Sequence, residues 1–81
     1  MTDDYIWAPL LEMAPDDIDA FMWMFEAELR DGTPLQAYKH RWTRQYIYLD
    51  EDGRAFDEIR GGRFEEVEPR LLLEEVMGVS S

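Results

Sequence analysis

The chain has 81 residues, 46 % of them hydrophobic, and a formal net charge of −11. That length limits it to one small domain, 1–81, whose single core supplies only about 3–5 kcal/mol of net stability. The composition excludes a disordered chain, and the absence of cysteine excludes disulfides and thiolate metal sites.

Residues 1–14 form an apolar N-terminal segment, "YIWAPLLEMAP" at its heart, in which the prolines argue against one continuous helix. A first helix is expected over 15–31. Pro15 suits its opening position, Asp16 and Asp17 favour the positive end of its dipole, Gly32 suits a left-handed cap, and Pro34 blocks continuation. From Leu35 the pattern turns to strands. "AYKHRWTRQYIYLD" is rich in aromatic and branched residues, and with no Gly, Pro or Asn near Thr43–Gln45 it reads as one long strand with a bulge. "DEDG" and "RGGR" then read as turns around the strand "RAFDEI", and "FEEV" as a last short strand, which closes an antiparallel sheet over 36–67. Pro69 opens a C-terminal helix over 69–77, Gly78 closes it, and "VSS" reads as a frayed end. The expected fold is α+β: an N-terminal helix packed on a three-stranded antiparallel β-meander, followed by a short C-terminal helix at its edge.

The run "FMWMF", residues 21–25, places five large apolar side chains together. Wound as a helix, Ile18, Phe21, Met22, Phe25 and Leu29 share one stripe. Trp23 and Met24 fall outside it, around Ala20 and Ala27, and are bordered by Asp19, Glu26 and Arg30. The plain reading of this second apolar side is core, with the N-terminal segment and its Trp7 folded back over it, or the seam of a homodimer. The functional reading is an anchor for a partner: Trp23, Met24 and Trp7 supply apolar contact, and Asp16, Asp19 and Glu26 supply charge.

"YKHRWTR" is the most suggestive polar stretch. Lys39, Arg41 and Arg44 alternate with Tyr38, His40, Trp42 and, further on, Tyr46 and Tyr48, as on a strand with one basic and one aromatic face. Basic surfaces with stacking aromatics hold single-stranded nucleic acid, so Lys39, His40, Arg41 and Arg44 make up a candidate nucleic-acid face. The net charge opposes that reading, because phosphate binding draws on positive potential. His40, the one histidine, has neither a diagnostic partner for catalysis nor companions for a metal, and reads as structural. "DEDG" lacks the spacing of a calcium loop, and turn chemistry accounts for it. No phosphate loop, nucleophile elbow, catalytic triad or zinc spacing is present, so neither an enzyme nor a cofactor or metal site is expected.

The charge is unevenly placed. Residues 1–36 carry a net −8, residues 37–63 a net +1 and residues 64–81 a net −4. Such a field repels nucleic acid and membranes and attracts basic proteins, and the acidic clusters also suit imitation of nucleic-acid charge. No apolar run approaches the roughly 18 residues of a membrane span, and "MTDDYIW" lacks the features of a secretory signal, so a cytoplasmic location is expected. Arg outnumbers Lys seven to one and Asn is absent, the usage of a GC-rich bacterial or phage genome. The expected function is a small acidic non-enzymatic protein-binding module, an inhibitor or adaptor for a basic protein surface. The alternatives are a nucleic-acid-associated protein using residues 38–48 and an obligate homodimer seamed along 15–31.

Overall fold

The computed structural model describes residues 4–78. The chain runs through α1 (Asp4–Met13), a 3-10 helix (Pro15–Ala20), β1 (Phe21–Glu28), β2 (Pro34–His40), β3 (Tyr46–Leu49), β4 (Ala55–Arg60), β5 (Arg63–Val67) and α2 (Pro69–Met77). The strands form one antiparallel sheet in the order β1-β2-β3-β4-β5. The class is α+β, as the sequence suggests, but the sheet has five strands where three are expected. The expected frayed end at residues 79–81 lies outside the described residues.

Two corrections concern the first third of the chain. The apolar N-terminal segment is largely helical despite Pro9 inside it. Ile6, Leu10 and Ala14 recur at intervals of four and are all buried, a helical stripe strong enough to outweigh one lost backbone hydrogen bond. The helix expected over 15–31, by contrast, ends at Ala20. Phe21 adopts extended backbone (φ −119, ψ 154) and begins β1.

The physical reason is a β-bulge. The register of β1 against β2 shifts between Trp23 and Phe25, with Met24 as the extra residue. In a regular strand Trp23 and Phe25 would share a face; the bulge sends them to opposite faces. It also gives the apolar residues a spacing that mimics a helix. Gly32 does adopt positive φ (90), but in the β1–β2 turn rather than at a helix end. There Gly32 N–H donates to Leu29 O and Leu29 N–H donates to Thr33 O, both at 2.9 Å.

The single bent strand expected over residues 36–50 is instead two strands joined by a turn at Arg41–Gln45. His40 N–H donates to Gln45 O (2.9 Å) and Arg44 N–H to His40 O (3.0 Å). Arg44 takes the left-handed conformation itself (φ 63), so the usual glycine or asparagine signal is missing. The later elements agree closely with expectation, including Gly78 as the left-handed cap of α2 (φ 74).

Both helices pack on one side of the sheet, over a core that includes Leu10, Phe21, Tyr38, Ile47, Leu72 and Val76. The C-terminal helix is therefore not at the sheet's edge: it packs against β3 and β4. Those two strands pair at only two positions, Tyr48↔Phe56 and Leu49↔Ala55. The opposite face of the sheet carries its own cluster of Leu35, Ala37, Tyr48 and Phe56, flanked by Tyr46 and Phe64, to which no residue of α1 or α2 belongs.

Candidate functional site

Strand alternation and pairing put Phe25, Tyr46, Tyr48 and Phe64 on the helix-free face. Their rings form a continuous row. Phe25 lies 6.2 Å from Tyr46 and 6.4 Å from Tyr48, Tyr46 stacks 6.1 Å from Tyr48, and Tyr48 meets Phe64 edge-on at 4.9 Å. Phe25 keeps 43 % of its surface exposed, and Met24 at the bulge 38 %. The row draws on three strands, β1, β3 and β5, and so reaches from one edge of the sheet to the other, and only the bulge brings Phe25 into it.

The charges on this face are mixed. The Lys39 ammonium sits 5.8 Å from the centre of the Tyr46 ring, a cation–π contact. Glu66 pairs with Phe56, and Glu58 pairs with Phe64, so both carboxylates share the aromatic face. The Tyr48 hydroxyl donates to Glu58 Oε1 at 3.4 Å. Burial, and then the Glu58 charge, push the Tyr48 phenol up to about 12, so it remains a neutral donor at physiological pH.

The residues expected to anchor a partner are divided between surfaces. Trp7 and Trp23 are half-buried on the helix side and pack against the core. The Trp7 ring lies 5.5 Å from that of Tyr38, and Trp23 Nε1 donates to Gln36 Oε1 at 2.8 Å. Trp7 of α1 thus packs on Tyr38, the β2 neighbour of Trp23, so the N-terminal segment lies against the sheet. Met24 stands at the sheet edge. Asp16 and Asp19 are exposed on the 3-10 helix, where the Asp19 carbonyl accepts from Arg41 Nε at 2.8 Å. Glu26 accepts from Gln36 Nε2 at 2.9 Å.

The residues expected to form a nucleic-acid face do not form one. Of Lys39, His40, Arg41 and Arg44, only Lys39 faces the aromatic row. His40 is buried on the helix side, edge-on to Phe21 at 5.1 Å. Its Nδ1 accepts from the N–H groups of Trp42 (3.3 Å) and Thr43 (3.2 Å), which makes it the scaffold of the β2–β3 turn. Arg41 and Arg44 belong to that exposed turn. Thr43 Oγ1 in turn donates to Val76 O and ties the turn to α2.

"DEDG" is a turn built on one buried carboxylate. Asp50 Oδ1 accepts from the N–H groups of Asp52 (2.9 Å) and Arg54 (2.8 Å), and Oδ2 from Arg54 Nε (2.9 Å). No group of three or more His, Asp or Glu able to hold a metal occurs among the described residues. No helix among them is long and apolar enough to cross a membrane. Sequence reasoning noted Tyr46 and Tyr48 but missed Phe25 and Phe64. The alternation of "FEEV" against "RAFDEI" was the available signal for Phe64, whereas the bulge hid Phe25.

No family model, curated protein or solved structure matches this chain at a significant level.

Proposed function

We propose that this chain is a small non-enzymatic protein-binding module, an inhibitor or adaptor that engages a basic, partly apolar protein surface through the helix-free face of its sheet. The observation that carries the reading is the aromatic row Phe25–Tyr46–Tyr48–Phe64, left without a helix on a molecule of net charge −11. Aromatic side chains that are rigid, flat and partly exposed are efficient contact residues, because little conformational freedom is lost on docking. The acidic field speeds encounter with a basic surface, and apolar contact sets the lifetime of the complex. Phe25, Tyr46 and the exposed Met24 supply that contact, with Glu58 and Glu66 as its acidic neighbours. Trp7 and Trp23 contribute by holding α1 and β1 in place.

The test compares wild type with a Phe25→Ala/Tyr46→Ala variant as bait in the source cell's lysate, with and without nuclease, after checking that both melt cooperatively. A discrete basic protein retained by wild type after nuclease treatment, and lost by the variant, is the expected result. Equal retention by both removes the aromatic face from the argument. The placement of Lys39 over Tyr46 favours a second reading, a stacking platform for single-stranded nucleic acid. A signal that disappears with nuclease and falls steeply with salt selects that reading instead.

A further inference from the structure

On the opposite side of the sheet a cleft of about 330 Å³ opens between α1 and the first hairpin. It is lined by Ala8 and Pro9 of α1, Glu26 of β1, Pro34 and Gln36 of β2, and Glu51 of the β3–β4 turn. Gln36 is 7 % exposed. Its amide is oriented from both ends, accepting from Trp23 Nε1 and donating to Glu26 Oε2. The cleft thus combines apolar walls, a fixed amide and two carboxylates from separate elements, and no basic residue lines it. Among the described residues the one ion pair within 4.0 Å joins Asp50 to Arg54, so neither Glu26 nor Glu51 is neutralised there.

We propose that this cleft is a binding site for a guanidinium group, presented as the side chain of an arginine in a polypeptide. The volume lies at the small end of ligand sites and suits one long side chain. An anion would be repelled, and a neutral group would leave both carboxylates without a counter-charge. An ammonium is a point charge that serves one carboxylate well. A guanidinium offers five donors in a plane, enough to meet Glu26 and Glu51 from two edges and to reach the second lone pair of Gln36 Oε1. The alkyl stem lies against the walls formed by Pro9 and Pro34. The site is independent of the aromatic row and stands or falls apart from it.

The Trp23 indole N–H reports on the site directly, because it is bonded to the Gln36 oxygen. Nuclear magnetic resonance titration of the intact protein follows that signal with N-acetyl-arginine methylamide, with butylguanidinium, and with N-acetyl-norleucine methylamide as the uncharged control. The expected result is a saturable shift with the blocked arginine, at a dissociation constant on the order of 1 mM, and none with the norleucine compound. The Glu26→Gln/Glu51→Gln variant keeps an oxygen that accepts from Gln36 Nε2, so its own indole signal verifies the fold. It should bind roughly fivefold or more weakly. An indole signal that does not move, or that moves equally in the variant, overturns the site. A response to butylguanidinium without one to the blocked arginine overturns the polypeptide source and assigns the cleft to a free guanidino compound.

Discussion

Replacing Asp50 tests how the β3–β4 turn is held. Its carboxylate is 2 % exposed and accepts three hydrogen bonds, two from backbone N–H groups at 2.9 and 2.8 Å. Asp50→Ala removes all three. Asp52 and Arg54 are exposed, so their freed N–H groups regain water in part, and each lost bond costs about 1–1.5 kcal/mol. The bond from the solvent-screened Arg54 side chain adds nothing that we count. The sum is about 2–3 kcal/mol, against a net stability of about 3–5 kcal/mol for a domain of this size. At roughly 4–8 °C per kcal/mol, the melting midpoint should fall by about 8–24 °C, read by circular dichroism. Asp50→Asn keeps the Oδ1 acceptor for both N–H groups and should lose less than half as much. An alanine variant melting within about 2 °C of wild type would refute the reasoning, since a 2–3 kcal/mol loss cannot leave the midpoint in place.

Two further outcomes are expected. Leu10→Ala empties a fully buried position in the helix-side core that also holds Phe21 and Tyr38, and should cost about 2–5 kcal/mol in urea unfolding; a smaller loss would mean that α1 is not integral to the core. Tyr48 has its phenol raised from an ordinary value of 10.0 to about 12, so the stability it contributes is fully present below pH 10 and is lost as pH rises toward about 12. Alkaline unfolding of wild type should therefore track late tyrosinate absorbance, and Tyr48→Phe should flatten that dependence; early ionisation in the still-folded protein would contradict it.

What the sequence disclosed depended on how local each signal was. Pro69 and Gly78 frame α2, and Gly53, Gly61 and Gly62 mark turns that all take positive φ, so the last third of the chain was legible. The first third was not, for two reasons. Pro9 lowered the apparent helicity of a segment whose burial stripe, Ile6–Leu10–Ala14, favours a helix. The bulge at Met24 gave a strand the spacing of a helix. Tertiary pairing with β2 decided the issue, and no residue near Phe21 announces that partner. The candidate surfaces inherit both difficulties. The aromatic row needs the bulge to recruit Phe25, and the guanidinium cleft needs α1 to supply its wall. The β2–β3 turn was hidden because its signal is a histidine accepting two backbone N–H groups, which no turn-residue preference records.

The narrow join between β3 and β4 has a dynamic consequence. Two residue pairs connect the N-terminal three strands to the C-terminal hairpin, whereas the first hairpin is matched along seven positions. A sheet so unevenly stitched should open first at its thinnest line, with the two parts behaving as separate cooperative units whose amides exchange at different rates. What opposes that parting is α2, which lies across both strands and is fastened to the β2–β3 turn by Thr43 and Val76. The C-terminal helix is thus the clasp of the molecule. Its unwinding would free the final hairpin to swing and carry Phe64 away from Tyr48, breaking the aromatic row at its far end.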